Sequence, residues 1–357
     1  MLIKILIAAA IAIVLLAAAA GLGLWYLMQQ PLYRPGMAQT RRLQPPSQTD
    51  QPNAWQVERD VTLRYLTAGT GRPVLVLHGG PGFSFREPWA GLDALGDRHQ
   101  FYYYDQRGCG RSTKPFDRFA GTNFYANMKS LEGTLGLAAQ IADIERIRRI
   151  LGEEKLVLIG SSFGGFIATM YAAEFPARVE KLVLVAPADV LVMPSRHGDL
   201  FELVAERLPD GERATYREFL ADYLDFRHVF DNQSETTLAE RNRDFGVYYL
   251  AAAGTPAAER EASMAAYAGD DANGGWMVPA VYFSLGRRHD YRNALSAVTA
   301  PTLVIHGAND IQPDASSRAY VEALPNATLR VIEGAGHFVF EEQAEAFAEA
   351  VAEFLKQ

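Results

Sequence analysis

Lys155-Leu-Val-Leu-Ile-Gly-Ser-Ser-Phe-Gly-Gly-Phe166 is the stretch that decides the fold. Lys155–Ile159 is a β-rich run that breaks at Gly160, and a small-residue helical stretch follows from Gly164 to Glu174, ended by Pro176. Strand, sharp turn and helix in that order put Gly160-Ser161-Ser162-Phe163-Gly164 in the context that a Gly-x-Ser-x-Gly elbow requires. Ser162 is then the candidate nucleophile, and Ser161 is out of register. The flanking glycines have a physical reason: the turn strains the serine backbone, and side chains there would collide with the neighbouring strand and helix.

Working outward, strand-like and helix-like segments alternate from Trp55 onward, the pattern of a mainly parallel α/β sheet flanked by helices. Strands are expected at Val61–Leu66, Pro73–Leu77, Gln100–Tyr104, Leu182–Val185, Thr302–Ile305 and Thr328–Ile332. Gly136–Leu151 spaces Leu137, Ile141, Ile144, Ile147, Ile150 and Leu151 as an amphipathic helix stopped by Gly152, and a terminal helix runs from about Glu341 to Leu355. Between Ala188 and about Arg292 the alternation lapses into helix-like pieces, which reads as a cap inserted between two core strands. From Asp189 to Asp290 there are 18 Asp and Glu against 10 Lys and Arg, so the whole net charge of −8 sits in the insertion. That is either the solvated face of cap helices or a negative field that favours a cationic substrate.

A serine hydroxyl needs a base, and the base needs a carboxylate to fix its tautomer. His337, in Gly334-Ala335-Gly336-His337 after the last strand, is the candidate base. Asp310, in His306-Gly307-Ala308-Asn309-Asp310 after the preceding strand, is the candidate acid, with Asp314 in reserve. Ser162, Asp310 and His337 then fall in the chain order of the serine-hydrolase triad on such a sheet. Donors for the tetrahedral oxyanion are expected from the backbone of Phe163 and from His78-Gly79-Gly80-Pro81-Gly82, where Gly80 is chosen and Gly79 stands close behind. The same glycine loop lacks the Lys-Ser/Thr of a phosphate cradle, and no metal or cofactor is implied.

His78-Gly-Gly-Pro-Gly82, Asp105-Gln-Arg-Gly-Cys-Gly-Arg-Ser112 and the Gly-Ser-Ser-Phe-Gly-Gly elbow together resemble the proline iminopeptidase (prolyl aminopeptidase) family of α/β-hydrolase fold enzymes, over about residues 60–190 and 295–357. The resemblance implies an α/β-hydrolase fold, a triad of Ser162, Asp310 and His337, a helical cap over the pocket, and release of N-terminal proline or similar residues from short peptides. The chain departs from the family in the cap. Proline iminopeptidases hold the substrate's amino group with cap glutamates, one typically beside a tryptophan, and no Trp-Glu pair occurs between 189 and 290. Glu202, Glu206, Asp222, Asp225, Glu240 and Asp244 are the carboxylates that could substitute; a cap without the clamp would take neutral acyl groups, as a carboxylesterase or lipase does. A non-catalytic binding protein on the same fold is the remaining alternative, and the intact nucleophile, base and acid argue against it.

The composition of the 357 residues, 49% hydrophobic and 21% charged, excludes disordered, collagenous and disulfide-framework classes. An acidic balance of 34 Lys and Arg against 42 Asp and Glu gives no footprint for nucleic acid. The single cysteine, Cys109, can form no intrachain disulfide; it reads as a small turn residue or as a thiol whose alkylation blocks the site. Residues 5–28 carry no charge, enough at about 1.5 Å per residue to span a bilayer core. The expectation is therefore 1–30 as a transmembrane anchor or signal peptide, with an extracytoplasmic catalytic part, secreted if the segment is cleaved. Pro- and Gln-rich residues 31–53 read as a linker, 54–188 and 293–357 as the two parts of the core, and 189–292 as the cap.

Overall fold

The computed structural model describes residues 11, 13–19, 21–23, 26, 29–269 and 272–356. Its centre is an eight-stranded sheet in the order β1-β2-β4-β3-β5-β6-β9-β10. The strands are β1 Ala54–Glu58, β2 Val61–Ala68, β3 Arg72–Leu77, β4 His99–Tyr104, β5 Leu156–Ser161, β6 Val179–Val185, β9 Thr302–Gly307 and β10 Ala327–Ile332. From β4 to β10 every neighbouring pair is parallel, and only β1 and β2 at one edge are antiparallel.

Alternation of side chains along each strand loads both faces. Leu75, Leu77, Leu158 and Leu184 join the core beneath the helices Leu137–Leu151 and Phe163–Glu174, while Val74, Val76, Ile159 and Val183 pack on the other face against Trp89, Phe340 and Phe347. All six residues of β5 are buried, as a central parallel strand covered on both sides requires. The helix Leu137–Leu151 ends where Gly152 adopts φ 73, the left-handed cap that glycine supplies without strain.

The sequence expectation misses β1, whose Trp55 and Val57 are buried at the sheet edge, and the helix Phe124–Leu135, capped by the Asn123 side chain accepting from Ala126 N. Between β6 and β9 lies the helical insertion, hereafter the cap. It is entered and left through the two-stranded ribbon of β7 Val192–Met193 and β8 His289–Asp290. Its helices Leu200–Arg207, Asp210–Tyr223, Glu235–Ala252, Ala257–Ala265 and Met277–Leu285 build two small apolar clusters, one shared with Leu131 and Leu135 of the helix Phe124–Leu135 and the other with Ile311 after β9.

Residues 31–53, expected as a linker, lack long regular structure as their prolines dictate, yet part of them is built into the molecule. Tyr33 and Ala38 are fully buried. The Tyr33 hydroxyl donates to Glu174 Oε1 at 2.6 Å, and Glu174 Oε2 accepts the backbone N–H of Ala38 at 3.0 Å. Leu32 and Tyr33 donate their N–H groups to the carbonyls of Phe283 and Ser284, so this strap ties the last long cap helix to the core. Half of the expected membrane-spanning or signal segment, 5–28, lies outside the described residues. Among the described residues no helix is long and apolar enough to cross a membrane.

Candidate active site

The turn after β5 places Ser162 at φ 51, ψ −121, a conformation that non-glycine residues rarely hold without compensation nearby. Ser162 is the N-cap of the helix Phe163–Glu174, but its side chain makes no capping hydrogen bond, which leaves Oγ uncommitted. A Cβ on Gly160 would lie 2.5 Å from Gly164 O, and one on Gly164 would strike the carbonyls of Leu77 and His78. The glycines are therefore demanded by strand and helix backbones packed against each other at the elbow.

His337 follows β10 and Asp310 follows β9, so both stand, with Ser162, beyond the C-terminal ends of parallel strands, where such sheets build their sites. The structure joins two of the three directly: His337 Nδ1 lies 2.9 Å from Asp310 Oδ2 and 3.1 Å from Oδ1. No hydrogen bond joins Ser162 Oγ to His337 among the described residues. Asp310 is 3% exposed. Burial raises its carboxyl pKa, but the adjoining His337, His306 and the N–H of Gln312 outweigh it and hold the group below the ordinary aspartate value. An ionised Asp310 accepts from Nδ1–H and leaves Nε2 as the basic nitrogen of the ring. Asp314, the reserve acid, is instead paired with Arg318 on the surface.

The loop 78–82 runs beside the elbow, with Gly79 close enough that a Cβ on it would sit 2.9 Å from Ser162 Cβ. His78 Nε2 accepts the N–H of Gln106, so Nδ1 carries the ring proton and donates to Gly79 O at 2.9 Å. In the trans peptide that follows, the Gly80 N–H points away from that carbonyl. Among the described residues the N–H groups of Gly79, Gly80 and Phe163 find no protein acceptor.

Several residues at the site carried no motif to reveal them. Arg207 of the cap donates to the carbonyls of Asn309 and Asp310 and steadies the acid loop. Tyr249 packs edge-on against the His337 ring, with centroids 5.3 Å apart. Gln312 donates its N–H to Asp310 and accepts from Asp189 N, where the chain enters the cap. Cys109 is fully buried; its thiol donates to Gln106 O, and burial pushes its pKa well up, so it has no nucleophilic role.

None of the six cap carboxylates considered for amine recognition is buried. Glu202 pairs with Arg217 and Asp225 with Arg227. Among the described residues the buried cap carboxylate is Glu235, which accepts the N–H groups of Gly275 and Trp276. Among the described residues no cluster of His, Cys, Asp and Glu could hold a metal ion.

The proline iminopeptidase of Lactobacillus delbrueckii subsp. lactis is 28% identical over 298 residues, covering 79% of this chain and 90% of that protein. The proline iminopeptidase of Saccharolobus solfataricus is 26% identical, covering 82% of this chain and 87% of its own. Both agree with the resemblance carried by the motifs. Among solved structures, a thermophilic esterase from Thermogutta terrifontis aligns with a TM-score of 0.52 at 25% identity, over 83% of this chain and 93% of its own. The proline iminopeptidase of Mycobacterium smegmatis aligns with a TM-score of 0.54 at 20% identity, over 84% and 96%, a likeness of fold. A family model described as alpha/beta hydrolase fold matches residues 72–344. The chain belongs to the α/β hydrolase fold family.

Proposed function

We propose that the protein is a serine hydrolase that forms an acyl-enzyme at Ser162 and acts as an aminopeptidase, releasing N-terminal proline or similar residues from short peptides. The observation that carries the reading is the buried Asp310–His337 pair at the same ends of the parallel strands as the Ser162 elbow. In this mechanism His337 Nε2 takes the proton of Ser162 Oγ as the oxygen attacks the substrate carbonyl. The Nδ1–H of the resulting imidazolium stays on Asp310. The tetrahedral oxyanion receives the N–H groups of Gly80 and Phe163, with Gly79 the neighbouring donor. His337 then returns its proton to the leaving amine, the acyl group stays on Ser162 as an ester, and water activated by His337 releases it.

A second reading is favoured by the cap. Its six candidate carboxylates all lie at or near the surface, and none makes a buried clamp for an amino group. A hydrolase of neutral esters would need no such clamp. The two are separated by hydrolysis of a prolyl arylamide, its N-acetylated form and a short-chain nitrophenyl ester, with Ser162→Ala as blank. Turnover of the free-amine amide that acetylation abolishes supports the aminopeptidase; turnover of the ester alone supports the esterase. A fluorophosphonate that labels Ser162→Ala as well as the parent would sink both.

The uncharged run 5–28 supports a further reading, that the chain is carried to a membrane by its N-terminal segment with the hydrolase on the extracytoplasmic side. A requirement for detergent in extraction, with an N-terminus near Met1, tests the anchor. A mature start near Gly21 would replace it with a cleaved signal peptide.

A further inference from the structure

Four of the five carbonyls in the loop His78–Gly82 are taken by named donors. His78 O accepts from Gln106 Nε2 at 2.8 Å and Gly79 O from His78 Nδ1 at 2.9 Å, both within the core. Pro81 O accepts from Asn242 Nδ2 at 3.1 Å, and Gly82 O from Gly274 N at 2.9 Å, both from the cap. Asn242 is 2% exposed, on the helix Glu235–Ala252. Its second Nδ2 hydrogen goes to Gly274 O at 3.1 Å, and its Oδ1 accepts from the Tyr223 hydroxyl at 3.1 Å. Two carbonyls on one side and a hydroxyl on the other fix the amide's orientation. A Cβ on Gly82 would meet Gly274 N at 3.0 Å, so cap and loop backbones touch there with nothing between, and Gly246 of the cap packs on the Phe83 ring, which a Cβ would meet at 3.0 Å.

We infer that Asn242 is a positioning residue for the oxyanion site: by holding Pro81 O, together with Gly274, it sets the loop whose Gly80 N–H receives the developing charge. The inference rests on the reading of Gly80 and Phe163 as oxyanion donors given above. Asn242 itself touches no reacting atom; it acts through the Pro81–Gly82 peptide, whose carbonyl it holds one residue beyond Gly80. Its consequence is that seating the cap and completing the donor pair are one event, so binding energy spent on the cap appears in the chemical step.

The test compares kcat, KM and inhibition by a peptidyl or acyl trifluoromethyl ketone, which forms a hemiketal oxyanion with Ser162, against the matching alcohol, which does not. In the parent protein the ketone is expected to bind at least about 100-fold tighter than the alcohol, the scale of an intact donor pair. Asn242→Asp, which turns a carboxylate oxygen toward two carbonyls, and Asn242→Ser, which keeps one donor, are expected to lower kcat about 10- to 100-fold with KM within about 3-fold, and to weaken the ketone in proportion but not the alcohol. Tyr223→Phe, which leaves both Nδ2 donations in place, should keep kcat within about 3-fold of the parent. A residue needed only for folding would lower the melting temperature without changing the ketone-to-alcohol ratio, and that result in folded Asn242→Ser overturns the inference. A rise in KM alone overturns it too. Should the parent protein itself not prefer the ketone, the oxyanion reading fails first; if the parent prefers it and both variants keep the ratio, only the role of Asn242 fails.

Discussion

Replacing Tyr33 by Phe removes one oxygen from a fully buried side chain and one hydrogen bond, the 2.6 Å donation to Glu174 Oε1. Glu174 is 4% exposed, and burial raises its carboxyl pKa against the Tyr33 hydroxyl and the backbone N–H groups that favour its charge. Hydrogen bonds to charged groups contribute about 1.5–3 kcal/mol, and the carboxylate keeps the N–H of Ala38 at 3.0 Å as a remaining donor. The expected loss for Tyr33→Phe is thus about 2 kcal/mol, and for Tyr33→Ala, which also empties the ring's site beside Tyr291, about 3–5 kcal/mol. For a chain of this size the first corresponds to roughly 3 °C in melting temperature. Differential scanning fluorimetry on the parent, Tyr33→Phe, Glu174→Gln and the double variant measures it, and the cycle isolates the pair. A Tyr33→Phe protein that melts within about 1 °C of the parent, or strictly additive single effects, would refute the claim that the strap is part of the folded unit.

Asp310→Asn should lower kcat by about three to four orders of magnitude while the protein stays folded, because the wrong histidine tautomer is then favoured; steady-state kinetics on the parent's best substrate reads this. The same substitution has a pH signature. Asp310 has a depressed folded pKa, so its contribution to stability is present above its unfolded value and is lost as pH falls through the folded one. Urea midpoints of parent and Asp310→Asn should therefore converge as pH is lowered from 5 to 2, and a gap that widens toward acid would contradict the pairing. Cys109 should resist iodoacetamide in the native protein and react only after denaturation, as mass spectrometry of the intact chain would report. Gly164→Ala should yield insoluble or inactive protein, since the new methyl group meets the carbonyls of Leu77 and His78; soluble, active material would show that the elbow has more room than its geometry allows.

The central strands and the elbow were legible because each is a local pattern: a run of buried β-formers, a glycine break, then small helical residues. Asp310 and His337 were legible for a similar reason, both lying just beyond a recognisable strand. Asn242 and Arg207 were not, because each acts on a backbone carbonyl far away in sequence, and a polar residue on a cap helix looks the same whether it meets solvent or Pro81. The glycine pair in Asn273-Gly-Gly-Trp276 was the one local hint that a backbone passes close by. Residues 31–53 misled for the opposite reason. Proline density correctly forbids long helix and sheet there, but absence of regular structure is not absence of packing, and what secures Tyr33 is a glutamate and two cap-end residues, Ser284 and Tyr291, all more than a hundred residues away.

Three chain segments meet at the end of the loop His78–Gly82 with almost no side chains between them. Gly274 is pressed against Gly82 on one side and against Gly108 O and Cys109 Cβ on the other, and Gly110 N donates to Ala272 O. A cap from a related hydrolase could not be grafted onto this core at the β7–β8 ribbon alone. The transplant would have to bring residues equivalent to Asn242 and to 272–275 along with the glycine loops they rest on. In this protein the unit of exchange that could diversify the substrate range is the cap and those loops together, which places the seam of any recombination inside the sheet-end loops rather than at the ribbon where the cap begins.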